Sequence, residues 1–387
     1  MKKALFYNII VYKIKSTVKG KTIMQIKDFN WERETDIWEK WWNKELGRPL
    51  FQISVPAEPD NQEPLEPVHN FLPMYDFSIP AGEIIKKLKK RKERENVFSD
   101  ASYPRMWMNF GPGALAAMIG GTGHCGESTI WFEPGRFEDC EISDISVKLD
   151  RKSPWFLRLE EFFEAAAKQL AGLVNIGQTD IGGALDTLSS LRPGEKLIFD
   201  MFDNPDEVKR LVWEIHEAWF ETFDYFNSLL PENNHGYSSW AQQLSQKTYY
   251  MLQCDFAYMI SPEHFGEFVL PELAASCRRI ERPFYHLDGK GQLPHLDQLL
   301  SIPELAGVQW VPGDGAPDCS EWPEVYRKIA ASGRLMQVFA QEVKTIEKVL
   351  TQVDNPELIQ FIGNINAGEE ERLNKIYRRF GIEPVKI

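Results

Sequence analysis

Residues 282–291 read Arg-Pro-Phe-Tyr-His-Leu-Asp-Gly-Lys-Gly. Pro283 interrupts whatever precedes it, Phe284 to Leu287 form a short strand-like run, and Gly289 stops it. Side chains alternate between the two faces of a strand, so Phe284, His286 and Asp288 share one face. An imidazole and a carboxylate at the C-terminal end of a strand, followed by glycines, have the composition of part of a metal or acid/base site. The same residues also suit a strand end whose carboxylate ties down loop amides beside a partly buried histidine.

Working outward, short apolar runs alternate with amphipathic helical segments on both sides of this stretch. Strands are expected at 50–55, 103–110, 173–177, 237–240, 251–255, 308–311, 335–339 and 358–363. Helices are expected at 154–170, 205–230, 262–280, 294–300, 321–331, 343–353 and 367–380. Asn204 and Ser261, each followed by proline, are the expected N-caps of two of them. Such alternation specifies an α/β protein with a parallel sheet, and the number of repeats favours a (β/α)8 TIM barrel. No dinucleotide glycine fingerprint follows any strand. Residues 25–387 are expected to fold as a single barrel with N-terminal helical additions. Residues 1–24 are expected to be a dispensable extension, because their apolar run is broken by Lys13 and Lys15 and Met24 opens a new segment. Trp31, Trp38 and Trp42 fall on one face of a helix expected to pack over the barrel. The glycine-rich run 120–126 reads as a flexible active-site loop, where His124 and Cys125, being adjacent, face apart.

The chain has 387 residues, 43% of them hydrophobic and 26% charged, which suits a large buried core. The net charge of −13 disfavours nucleic acid and anionic membrane as partners. The run at residues 5–12 is too short to span a bilayer. The five cysteines form no CxxC pair, and their odd number fits a reduced, cytoplasmic protein.

In a barrel the chemistry collects at the C-terminal strand ends. Gln178 and Asp180, Gln253 and Asp255, and His286 and Asp288 each place a polar residue two positions before an aspartate. The expected catalytic set is His286, Asp288, Asp255 and Asp180, with His286, Asp288 and Asp255 as candidate metal ligands. Three carboxylates around one imidazole suit a divalent cation. They equally suit a carboxylic acid kept protonated by mutual repulsion. Trp240, Gln178, Gln253, Gln309, Trp310 and Asn364 are the expected substrate-binding residues.

Three stretches carry a resemblance. Asp255 to Leu273, reading DFAYMISPEHFGEFVLPEL, is similar to the D-x-x-x-x-x-S-P-x-x-F-x-E-F-x-x-P segment of the uroporphyrinogen decarboxylase superfamily. Tyr285 to Gly289, YHLDG, resembles its central H-x-x-G strand, and DNPDEVKRLVW at 203–213 resembles one of its helix starts. The resemblance spans about residues 170–380. It implies a (β/α)8 barrel and one of two chemistries: decarboxylation of uroporphyrinogen acetate groups, or methyl transfer involving corrinoid proteins and thiols. The RxAGRY segment of the true decarboxylases is absent. The H-x-C strand of the zinc methyltransferases becomes His286-x-Asp288, and the last strand ends in Gly363-Asn364 without cysteine. The WEKWWNKELGRP segment at 38–49 resembles the corrinoid-associated subgroup. The resemblance therefore implies a methyltransferase that moves a methyl group from a small O- or N-methylated substrate to a corrinoid protein. A divalent metal such as Zn would be held by oxygen in place of thiolate. Decarboxylation of a tetrapyrrole, which needs no cofactor, and a non-catalytic ligand-binding barrel are the alternatives. The expected partners are a small-molecule substrate and a corrinoid protein, with a homodimer left open.

Overall fold

The computed structural model describes residues 26–54, 65–93 and 100–384. The expected extension at 1–24 lies outside the described residues. Among the described residues, eight strands in two parallel sets supply the frame. β1 (Leu50–Ser54) and β2 (Arg105–Trp107) come first, followed by an antiparallel hairpin of β3 (Thr122–Cys125) and β4 (Ile130–Glu133). β5 (Asn175–Gly177), β6 (Tyr249–Gln253), β7 (Arg282–Asp288), β8 (Gly307–Val311), β9 (Leu335–Phe339) and β10 (Ile359–Asn364) follow. Helices alternate with β5 to β10, as the sequence pattern requires.

The hydrogen-bonded order is β1-β10-β9-β8-β7-β6 in one sheet and β2-β5 in another. The protein is thus α/β with a mostly parallel central sheet, and the expected closed ladder of eight strands is not formed. Its breaks have local causes. The strand expected at 237–240 contributes only a bridge between Tyr237 and Ser245. His235, Gly236 and Gln242 around it have positive φ, which no strand accommodates. Side chains and loop backbone fill the β5–β6 gap: the Gln178 amide donates to the Ser238 carbonyl, and the Tyr250 hydroxyl donates to the Thr179 carbonyl. On the other side, the segment leading into β2 meets β1 where the Ala101 amide donates to the Phe51 carbonyl.

Apolar side chains from Ile26 to Ile382 form one contiguous buried cluster. In the tryptophan-rich helix Trp31–Trp42 the expected face packs inward, with Trp38 and Trp42 buried and Trp31 half-buried, and Trp41, outside that face, is fully buried as well. Asn30 caps it by accepting from the Arg33 amide. Its C-terminal end closes the start of β7: Trp42 meets Phe284 edge-on, and Glu39 forms a two-pronged ion pair with Arg282. That end of the sheet is sealed, leaving the C-terminal strand ends for a site.

Two expectations at helix starts part company. Ser261 caps as expected, accepting from the His264 amide. Asn204 makes no such bond; its side chain donates to Asp200, so Pro205 starts that helix without a side-chain cap. The helix after Ser261 widens into a π turn at Phe265–Val269. Pro271 follows immediately and lacks the amide that an α turn would use there. The run 120–126 is the hairpin strand β3 instead of a loose loop; His124 pairs with Glu133 and stacks on Trp131. No helix among the described residues is long and apolar enough to cross a membrane.

Candidate functional site

β7 carries His286 and Asp288 on its inner face and stops at Gly289. That glycine takes φ 79° and donates its amide to Val311, turning the chain off the sheet. The Tyr258 ring lies against Gly289 and Gly291, close enough that a Cβ on Gly291 would sit 2.6 Å from the ring. Tyr258 belongs to the short turn Asp255–Met259, which leaves the end of β6. Two groups fix that turn. Asp186 accepts from the amides of Asp255 and Phe256 at 3.0 and 2.8 Å. His295, fully buried and stacked on Phe265, donates from Nε2 to the Ala257 carbonyl at 2.9 Å.

These supports bring Asp255 to β7. One donor atom from each of Asp255, His286 and Asp288 lies within 4.8 Å of the others, and His286 Nε2 is 4.0 Å from Asp288 Oδ2. Asp255 Oδ1 is buried and has no hydrogen-bond partner, an expensive state for a carboxylate oxygen unless a cation or proton meets it. Nitrogen and oxygen donors sit about 2.0–2.2 Å from zinc, so donors sharing one tetrahedral ion are roughly 3.3–3.6 Å apart. The triad reaches that spacing by side-chain shifts of about 1 Å or less, and its one-nitrogen, two-oxygen donor set suits a divalent cation. The residues present fit a metal.

The surroundings are acidic. Asp255 is pushed well above the ordinary carboxylate range, first by burial and then by the charges of Asp186, Asp288 and Asp180. Burial also raises Asp186, against the amide bonds it accepts. Burial raises Asp180 to about 7, opposed by amide bonds from Gly182 and Gly113. Burial depresses the His286 imidazole, opposed by the Asp288 charge and the Gln309 hydrogen bond. All the charges acting on Asp255 are carboxylates, so this cavity favours cations over anionic ligands.

The raised Asp180 has a consequence for stability. Its folded pKa of about 7 exceeds the ordinary 3.8, so the folded chain binds the extra proton throughout that window. Stability should therefore fall as pH rises from about 4 to about 7. Asp180→Asn keeps the oxygen that accepts from Gly182 and removes the titration. Its thermal midpoint, measured across this range, should decline less steeply than that of the parent; parallel curves would refute a buried, proton-holding Asp180.

The other expected residues divide by strand parity. The Trp240 ring stands edge-on to His286 at 5.0 Å, within the site. Gln253 pairs in register with His286, and its buried Oε1 has no hydrogen-bond partner. Gln309 is fully buried, with both ends of its amide bonded inside the protein, to His286 and Gln337. Two expectations are corrected, and a third residue is placed at the rim. Gln178 lies beyond the end of β5, and its amide turns to the helix Pro205–Ser228, bonding Phe223 and Asn227. Trp310 occupies the strand face opposite Gln309 and packs edge-on to Trp322 on the helical side, so it walls no part of the interior. Asn364 is exposed at the rim, paired in register with Ser54. Asp186 escaped the sequence reading because an aspartate in the first turn of a helix looks like a complement to the helix dipole.

No protein-family model matches the chain, and no curated protein does. Among solved structures the chain is similar to a methyltransferase from Methanosarcina mazei. The TM-score is 0.49 and the identity 11%, over 67% of this chain and 74% of that chain.

Proposed function

We propose that this protein is a methyltransferase of the uroporphyrinogen decarboxylase superfamily type, moving a methyl group from a small O- or N-methylated substrate to a corrinoid protein. The observation that carries the site is the convergence of Asp255, His286 and Asp288 donor atoms within 4.8 Å, beside a carboxylate oxygen with no partner. The sequence resemblance of residues 255–273 and 285–289 supports the reaction class.

His286, Asp288 and Asp255 would hold a divalent cation such as zinc. Bound there, it supplies Lewis acidity toward the oxygen or nitrogen that leaves the methyl group. The chain's own residues prepare that event. Asp186 and His295 fix the Asp255 turn, and the Trp240 ring walls the imidazole. The carboxylate surroundings of Asp255 weigh against decarboxylation of a polyanionic tetrapyrrole, which needs cationic partners.

The test is direct. Purified protein should contain about one divalent cation per chain by elemental analysis. With a corrinoid protein and O- or N-methylated substrates, it should produce the methylcorrinoid absorbance change, and chelation should abolish that change. Full activity in metal-free protein would overturn the metal's role; failure to methylate a corrinoid with any such substrate would overturn the reaction.

A further inference from the structure

The site histidine stands at one end of a chain of buried amides. His286, Gln309, Gln337 and Gln360 occupy matched register positions on the successive strands β7, β8, β9 and β10. Residues paired in register face the same side of a parallel sheet, so all four point inward. Gln52 on β1 and Gln243, in the loop before β6, complete the set. Gln243, Gln309, Gln337 and Gln360 are fully buried.

A glutamine amide can be drawn either way round, so its direction must be argued from partners that have no choice. Backbone carbonyls only accept. The Ala241 carbonyl lies 2.9 Å from the Gln337 amide, so the atom facing it is Nε2. The Gln242 carbonyl lies 3.0 Å from Gln52, which likewise presents Nε2. Gln52 Oε1 then accepts from Gln360 Nε2 at 2.9 Å. Gln360 Oε1 in turn accepts from Gln337 Nε2 at 3.0 Å and from Gln243 Nε2 at 2.9 Å. Two independent anchors therefore give Gln337 the same orientation. Its Oε1 faces Gln309, which must donate through Nε2. Gln309 Oε1 is left facing His286 Nδ1, and that contact is a hydrogen bond only if Nδ1 carries the proton.

We infer that this glutamine chain is a positioning device that holds neutral His286 as the Nδ1–H tautomer and aims a bare Nε2 at Asp255 and Asp288. Gln309 and Gln337 are positioning residues, fixing which imidazole nitrogen donates a lone pair. Apolar side chains would fill the same layer without the cost of burying five amides. A six-membered chain whose direction is set at two carbonyls is accounted for if its end point matters. The inference rests on the proposed metal site only for what Nε2 then holds.

The test uses the full chain, labelled with 15N in its histidine rings and freed of metal by chelation, at pH 8. A long-range proton–nitrogen correlation spectrum separates the two tautomers, and comparison with His286→Gln identifies the His286 signal among the seven histidines. The Nδ1–H pattern is expected; an Nε2–H pattern would overturn the inference, whatever the metal does. Gln309→Leu removes the acceptor and should mix the tautomers. It should also weaken binding of Co2+ alone by about 10–100-fold, the usual cost of losing an outer partner of a ligating histidine. Gln309→Glu retains an acceptor and should keep the Nδ1–H pattern. An unchanged tautomer in Gln309→Leu would mean that the chain does not set it. An Nδ1–H tautomer in a protein that binds no Co2+ would leave this inference standing and remove the metal site.

Discussion

His286→Ala is expected to lower methyl-transfer turnover by about 10²–10⁴-fold, the range for removing a group that acts on the reacting atoms, and to lower bound divalent cation well below one per chain. The geometry explains why the effect is so large. His286 is the only nitrogen donor of the triad, its Nε2 lies 4.0 Å from Asp288, and its other nitrogen is occupied by Gln309. Without the ring, Asp255 and Asp288 remain as two carboxylates that repel each other, and Gln309 Oε1 loses its donor. An unpaired buried acceptor costs about 1–3 kcal/mol. Asp288 retains a quarter of its side-chain exposure, so water can reach the vacated space and soften that cost. Turnover and stability should therefore separate. Kinetics run well below the variant's thermal midpoint should show the full loss of activity in folded protein. Near-parental turnover would sink the assignment. A loss of stability of about 2–5 kcal/mol with turnover intact in the folded fraction would make His286 a packing residue instead.

Arg282→Met should give the largest loss of stability, about 3 kcal/mol, at the lower end of the range for breaking a buried ion pair. Arg282 begins the central strand, is 6% exposed, and reaches both Glu39 oxygens as well as Ser245 Oγ. Its guanidinium also lies 5.2 Å from the centre of the Trp42 ring. One side chain thus joins β7, the tryptophan helix and the loop before β6. Methionine preserves much of the stem volume and strands the Glu39 carboxylate, whose 27% exposure keeps the penalty from rising further. In a chain of this size the thermal midpoint should drop by roughly 4 °C. Burial raises the Glu39 pKa, but the hydrogen bonds from Arg282 and the Gln246 amide outweigh it and hold the group below its ordinary value. A depressed carboxylate contributes stability above its unfolded pKa and loses it as pH falls through the folded one. The gap between parent and variant should therefore be widest at neutral pH and narrow in acid. Adding Glu39→Leu to the variant should restore part of the loss, because the stranded charge is then gone. A midpoint within 2 °C of the parent at neutral pH would refute the clasp.

These two residues lie four positions apart on one strand, yet only one of them was legible in the linear chain. His286 and Asp288 could be paired by parity, because alternation within a strand is local geometry. So could the helix at 31–42, whose tryptophans repeat at helical spacing, and the helices at 154–170 and 323–331. The order of strands and helices from residue 282 onward, and the α/β class, followed from periodicity in the same way. Arg282 gave no such signal, since its partner Glu39 lies 243 residues away.

What tertiary structure alone decided is which local features meet. Parity placed Gln178 beside a cavity and Trp310 was expected to wall it, but β5 stops at Gly177 and Trp310 faces the helices. Where a strand stops, and which of its faces looks inward, depends on neighbours that are distant in sequence. Asp186 fixes Asp255 from 69 residues away, and the direction of the glutamine amides is set by carbonyls of a loop between strands. The sequence by itself determined the repeating elements and the His286–Asp288 pair, because backbone periodicity and side-chain alternation need only near neighbours. The anchoring of Asp255 beside β7, the gaps in the sheet and the orientation of the imidazole were decided by the fold, because hydrogen bonds and charge repulsion act through space between segments that the linear order keeps apart.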